Sequence, residues 1–202
     1  MSQITTQSAV RRIRRVQAVT IVWMSVEAVV SLFAAWRSKS PALLAFGGDS
    51  AIELISAVVV LWRFDANANQ EHAEHRASRI AGWLLFALAA CVVVISLMVL
   101  LGYGEPKPTL LGIAILIAAA VFMPLLAREK RRLSALTGSA ALRADAAESA
   151  VCGYLSLIAL AGLAVNAIWH VAWADPAAAL FVIPLVLREG WGAMRGEPCD
   201  CV

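Results

Sequence analysis

The stretch that decides the fold is "LLAFGGDSAIELISAVVVLW", residues 43–62, which is apolar or small apart from Asp49 and Glu53. As a helix it is long enough to cross the hydrocarbon core of a bilayer, which takes about 20 apolar residues. A charged side chain at the bilayer centre costs at least about 2.5–3.5 kcal/mol, so such residues are rare and usually functional. The stretch therefore predicts a transmembrane helix that carries a functional site.

The composition of the whole chain agrees with a membrane protein. Of its 202 residues, 61% are hydrophobic and 15% are charged, whereas soluble domains have about 25% charged residues. Residues 80–103 and 109–127 contain no charge at all. The N-terminal arginines precede a span of full length, which argues against a cleavable signal. We expect an all-α membrane protein with six transmembrane helices, at residues 16–36, 41–63, 80–101, 109–127, 141–168 and 175–191.

The lysine and arginine residues predict how the chain lies in the membrane. If both termini lie on one side, 14 of the 17 basic residues are on that side. Cytoplasmic loops are rich in Lys and Arg, so we expect both termini in the cytoplasm. The net charge of +3 is then a topology signal, and no nucleic-acid partner is expected. The predicted divisions are a basic N-terminal segment (1–15), a six-helix transmembrane domain (16–191) and a short cytoplasmic tail (192–202).

The spacing of the intramembrane acids predicts a metal site. Asp49 and Glu53 are four residues apart and share one helix face. Asp145, Glu148 and Cys152 are spaced i, i+3, i+7 and share a face of the fifth helix. If the two helices pack together, Asp49, Glu53, Glu148 and Cys152 can meet at one depth. Carboxylate oxygens and a thiolate are ligands that Zn²⁺ takes in tetrahedral sites.

Other ionisable residues have weaker claims to a role. Glu27 in the first span is either an entrance or proton-relay group or a structural hydrogen-bonding group. Asp145 is either an entrance ligand or an acid that complements the helix dipole. A charged loop and the C-x-C tail could capture metal loosely in the cytoplasm, although a solvated loop is the preferred interpretation of the first. The residues concerned are His72, His75, Cys199 and Cys201.

Several kinds of chemistry have no support in the sequence. The chain lacks the G-x-x-x-x-G-K-[ST] pattern that cradles nucleotide phosphates. No serine or cysteine stands in a nucleophile motif with a histidine. We therefore expect no enzymatic activity and no prosthetic group.

Two segments resemble the cation diffusion facilitator family. In "SPALLAFGGDSAIELISAVVVLWRF" (40–64), the family's His/Asp-x-x-x-Asp metal pair falls on Asp49 and Glu53. In "ALRADAAESAVCGYL" (141–155), its second pair, usually His-x-x-x-Asp, falls on Glu148 and Cys152. The sixth span, "WADPAAALFVIPLVLREG" (173–190), is also similar. The resemblance is closest to the branch with six spans and no soluble C-terminal metal-binding domain, which includes a vertebrate vesicular zinc-efflux protein.

The resemblance implies a homodimer that exports a divalent cation, zinc first, from the cytoplasm in exchange for protons. The chain departs from the family pattern at Glu53, Glu148 and Cys152, which leaves the metal open. Two alternatives use the same acids: a metal-binding or sensing protein without transport, and a proton-coupled transporter of another substrate. The expected location is the plasma membrane of the cell, with lipid around the helices.

Overall fold

The computed structural model describes residues 2–65, 71–138 and 140–195. Within these residues every regular element is an α-helix, which confirms the predicted all-α class. The helices are α1 (Ser2–Ser38), α2 (Pro41–Asp65), α3 (Glu71–Leu100), α4 (Leu110–Thr137), α5 (Ala140–Trp169) and α6 (Ala174–Arg195).

Four helical segments are long and apolar enough to cross a membrane. They lie in α1, α3, α4 and α5, at Arg11–Ser38, Gly82–Leu100, Leu110–Thr137 and Asp145–Trp169. For α2 and α6, membrane crossing stays a prediction, as does the orientation of the termini.

Three helices run well beyond their predicted bounds. The prediction began α1 at residue 16 and α3 at residue 80, and it ended α4 at residue 127, whereas these helices begin at Ser2 and Glu71 and end at Thr137. The apolar run marks only the part of a helix that fits the bilayer. Arg, Lys, Glu and Gln are good helix formers, so the helix continues into the charged flanks. Helix α4 stops where Gly138 adopts a left-handed conformation, with φ of 67°, and donates its N–H to the Ser134 carbonyl.

Apolar and polar side chains are distributed between surface and interior as expected for a protein in lipid. Large apolar side chains such as Val29 and Leu110 are 68% and 87% exposed. Polar side chains such as Gln17, Glu27 and Lys130 are fully buried. An apolar exterior of this extent would be unfavourable for a monomer in water. It suits helices whose outer faces contact lipid tails and whose inner faces hold the functional groups.

Close helix contacts depend on small residues. A Cβ at Gly47 of α2 would lie 2.9 Å from the Ser31 Cβ and 3.0 Å from the Leu32 backbone nitrogen of α1. A Cβ at Gly162 of α5 would lie 2.5 Å from the Ala178 Cβ of α6. Small residues at such crossings let two backbones approach closely. Gly47 therefore fixes the approach of α1 to the part of α2 that carries Asp49.

A hydrogen-bonded cap joins the starts of α2 and α6. The Ser40 hydroxyl accepts from the Leu43 N–H at 3.1 Å, as an N-cap does. The same hydroxyl donates to the Asp175 carboxylate at 2.5 Å. The second Asp175 oxygen accepts from the Ala42 N–H at 3.1 Å. Asp175 thus holds the N-terminus of α2 against that of α6.

Gly47→Ala should destabilise the protein more than the neighbouring Gly48→Ala. A methyl group at residue 47 meets the α1 backbone, and overpacking of this kind costs about 1–3 kcal/mol. At residue 48 the methyl group meets the end of the Leu88 side chain, at 2.5 Å, which can rotate away. The measurement is the apparent melting temperature of each variant purified in detergent. Equal melting temperatures would contradict the close α1–α2 contact.

Candidate metal site

The interior contains a cluster of two carboxylates and a thiol. One ligand atom from each of Asp49, Glu53 and Cys152 lies within 4.8 Å of the other two. All three residues are buried, with Cys152 fully enclosed. Asp49 and Glu53 occupy successive turns of α2, and Cys152 comes from the facing turn of α5. A tetrahedral zinc ion needs its ligands about 3.4–3.6 Å apart, given metal–oxygen and metal–sulfur distances of about 2.1 and 2.3 Å. Small side-chain adjustments would bring these three atoms to that spacing.

Helix α1 contributes a further acid to the same region. The Cys152 Sγ donates to Glu27 Oε1 at 3.3 Å. The Ser50 hydroxyl donates to that oxygen at 2.7 Å and lies 3.9 Å from the Cys152 sulfur. Ser50 is on α2 directly after Asp49. Glu27 is therefore joined to both of the helices that carry the cluster.

A buried ion pair lies beside the cluster. The Lys130 Nζ of α4 contacts Asp145 Oδ1 of α5 at 2.9 Å, and both side chains are almost completely enclosed. The other Asp145 oxygen accepts from the Gln17 amide of α1 at 2.6 Å. Asp145 thus ties three helices together. An unpaired buried charge is costly. Here each charge has the other as its partner, and both carboxylate oxygens of Asp145 accept a hydrogen bond.

Ser149 links the ion pair to the cluster. Its hydroxyl accepts from the Lys130 ammonium at 2.8 Å and donates to Glu53 Oε1 at 2.9 Å. The carbonyl of Asp145 lies 3.1 Å from the same hydroxyl, so the single proton is shared between two acceptors. Glu53 thus accepts a hydrogen bond from Ser149, which in turn accepts one from the positively charged Lys130.

The structure brings some of the predicted site residues together and separates others. Asp49, Glu53 and Cys152 are brought together. Glu148 is partly exposed and is not a member of that group of three, so its role as a ligand stays a prediction. Asp145 has Lys130 as its partner, whereas its sequence neighbour Arg143 is exposed.

The predicted cytoplasmic capture residues are only partly described. The sequence placed His72 and His75 in a loop, but α3 begins at Glu71, so both lie in its first two turns. The acids of this segment favour the start of a helix because they complement its dipole. The side chains of both histidines lie outside the described residues, as do Cys199 and Cys201.

Sequence reasoning missed the inward position of Lys130. The residue belongs to the run "REKRR" (128–132), which is typical of a solvated cytoplasmic end, and it was counted as such for the orientation. The structure buries it completely. Its neighbour Glu129 instead pairs with Arg12 at 2.6 Å near the surface.

Comparison with known proteins gives the family. Residues 18–195 match the model of the cation efflux transmembrane domain, which covers most of the chain. The chain belongs to the cation efflux family. Another similar protein is the manganese efflux system protein MneS of Bacillus subtilis, which is 25% identical over 186 residues. The alignment covers 88% of this chain and 64% of MneS, so the chain spans less than two thirds of that relative.

Lys130→Met should strongly destabilise this cation efflux protein. Removing one partner of a buried ion pair leaves an uncompensated charge, at a cost of about 3–5 kcal/mol. The double variant Lys130→Met with Asp145→Asn removes both charges and should recover much of the loss, because the amide oxygen can still accept from Gln17. The measurement is the melting temperature of the purified variants. A single variant as stable as the parent would show that the pair is not formed.

Proposed function

We propose that this protein exports a divalent cation, preferentially zinc, from the cytoplasm in exchange for protons. In this proposal all six helices cross the membrane and both termini are cytoplasmic. The observation that supports the proposal most is the meeting of Asp49, Glu53 and Cys152 in the interior. Membership of the cation efflux family supports it independently.

The donor set bears on the choice of metal. Carboxylates suit hard cations such as Mn²⁺, whereas a thiolate favours softer ones such as Zn²⁺. The name of MneS makes manganese the natural competitor. The proposal favours zinc because Cys152 is fully buried among the acids and can coordinate as a thiolate. Coordination would release the thiol proton, which couples metal binding to proton release.

Exchange follows from competition for the same lone pairs. A metal ion arriving from the cytoplasm displaces protons from the carboxyl groups and the thiol. When the site faces outward, protons from outside displace the metal and are carried back. The buried acids favour this cycle because they are tolerated in the interior only when protonated, paired or bound to a cation. A site that binds either the metal ion or protons, and is unstable when it binds neither, makes the metal flux and the proton flux interdependent.

The exposed apolar surface bears on the assembly. The outer faces of the helices can contact lipid or a second protomer, and the proposal takes the protein as a homodimer in the plasma membrane. Neither feature is needed for the chemistry of the cluster, because its three residues come from one chain.

Asp49→Ala with Glu53→Ala should abolish transport. The double change removes two of the three ligands, so zinc uptake into inside-out vesicles should fall to the level of protein-free vesicles. Zinc uptake should also make the vesicle lumen alkaline in the parent protein, because protons leave in exchange, and this pH change should disappear in the double variant. The assay follows zinc with a fluorescent indicator and pH with an entrapped dye, under an imposed pH gradient. Glu105→Gln, which changes an exposed carboxylate outside the helices, is the matched control.

Each outcome of that assay decides between functions. Loss in the double variant with full activity in the control supports the proposal. Unchanged zinc-driven proton movement in the double variant would refute the site. Stoichiometric zinc binding by the parent protein without any flux would favour a metal-binding protein that does not transport.

Cys152→Asp should shift the preference among metals. The change keeps an anionic ligand but replaces soft sulfur with hard oxygen, so zinc and cadmium should lose ground to manganese. The measurement is the ratio of initial uptake rates for zinc and manganese in the same vesicles, with cobalt, cadmium and iron included in the screen. A ratio equal to that of the parent would mean that the thiol does not coordinate the transported ion.

A further inference from the structure

Glu27 touches the metal cluster through Cys152, although it is not one of the three residues whose ligand atoms all lie within 4.8 Å of one another. Its Oε1 lies 3.3 Å from the Cys152 sulfur. Two ligands of a tetrahedral zinc ion, one oxygen and one sulfur, lie about 3.6 Å apart. The present contact is thus close to the separation that the two atoms would have around a shared ion.

The other oxygen of Glu27 has no partner among the described residues. Glu27 is fully buried, yet its Oε2 makes no hydrogen bond. The indole N–H of Trp23, one turn earlier, is the donor near this carboxylate, but neither it nor Oε2 reaches hydrogen-bond geometry. A buried acceptor without a donor costs free energy comparable with a lost hydrogen bond, and such groups call for an explanation. A cation bound beside Oε2 would explain why this oxygen has no hydrogen-bond donor.

Glu27 also interacts electrostatically with the residues of the cluster. Its carboxylate is electrostatically coupled to Asp49, to Glu53 and to the Cys152 thiol. Like charges at such range repel unless a cation or a proton lies among them. Lys130 is a positive charge that interacts with Glu53, and Ser149 forms a hydrogen-bond bridge between the two side chains.

The alternative fourth ligand, Glu148, has different surroundings. Glu148 is partly exposed, and it interacts electrostatically with the neighbouring ion pair first and then with Asp49 and Glu53 of the cluster. Its carboxylate is not one of the groups that converge in the cluster among the described residues. Glu27, by contrast, already contacts the thiol that the cluster contains.

We infer that Glu27 supplies the fourth ligand of the cation site, so that the transported ion is held by three helices, α1, α2 and α5, rather than by α2 and α5 alone. This inference rests on the proposed function of the cluster as the transport site. The set is then three carboxylates and one sulfur, which matches the four-coordinate preference of zinc. The Lys130 ammonium, relayed through Ser149, offsets part of the excess negative charge. Because α1 is a ligand helix, its displacement from α2 and α5 would open the site.

The test is zinc binding to the purified full chain in lipid nanodiscs. Glu27→Gln keeps the shape and can still accept the Ser50 hydrogen bond, but a neutral amide is a poor ligand. It should weaken zinc affinity by about tenfold or more, since even partners outside the coordination shell are worth about 10–100-fold. Glu148→Gln should leave the affinity close to that of the parent. Asp49→Ala with Glu53→Ala tests the underlying site.

A rescue separates coordination from a structural role. Glu27→His places an imidazole, which suits zinc better than manganese, at the same position. It should regain zinc affinity, lower manganese affinity and change the visible spectrum of bound Co²⁺ while the sulfur-to-cobalt band persists. A residue that merely supports the fold would not be rescued with a change of metal preference.

The outcomes distinguish failure of the role of Glu27 from failure of the proposed metal site. Parent-like affinity in Glu27→Gln, with loss in the Asp49/Glu53 double variant, overturns the role of Glu27 and leaves the site intact. If only Glu148→Gln loses zinc affinity, Glu148 is the fourth ligand and the role of Glu27 is overturned. Parent-like affinity in the double variant refutes the proposed site itself. If both glutamine variants lose affinity, recovery in Glu27→His supports the inference and failure to recover overturns it.

Discussion

The structure depends on one constraint, namely that every charge buried among these helices must have a partner. Lys130 and Asp145 satisfy each other, with Gln17 completing the carboxylate. Among the described residues no cation forms an ion pair with the acids of the cluster, and Ser149 bridges Glu53 to Lys130. Two neighbouring sites in one interior thus solve the same problem differently. The ion pair is closed, while the cluster is open to a cation or to protons, which is the property that a transport site requires.

Much of this arrangement could be predicted from the chain itself. Uninterrupted apolar blocks were enough for the all-α class, because backbone groups in lipid must bond within their own helix. The i, i+4 spacing of Asp49 and Glu53 fixed their common face regardless of tertiary detail. The i+7 position of Cys152 relative to Asp145 did the same for α5. Once α2 and α5 are in contact, the meeting of these side chains follows from helix geometry alone.

The rest depended on facts that a single sequence does not contain. In "REKRR" every residue is charged, and which one faces inward depends on how far α4 continues and how it rotates against α5. Glu27 is an isolated acid in α1, with no second group at helical spacing to show that it points toward α2. Its position follows from the close approach at Gly47, which is a property of two helices together. Ser149 looked unremarkable because a serine is tolerated in any membrane helix, and only its two partners give it a role.

X-ray absorption at the zinc edge of the loaded, purified protein shows whether the buried thiol and carboxylates hold the ion. We expect a first shell of one sulfur at about 2.3 Å and oxygens at about 2.0–2.2 Å. Cys152→Ser should remove the sulfur, whereas changing Cys199 and Cys201 together should leave it in place. A shell without sulfur in the parent, or a sulfur that survives Cys152→Ser, would contradict a cation held by the buried cluster.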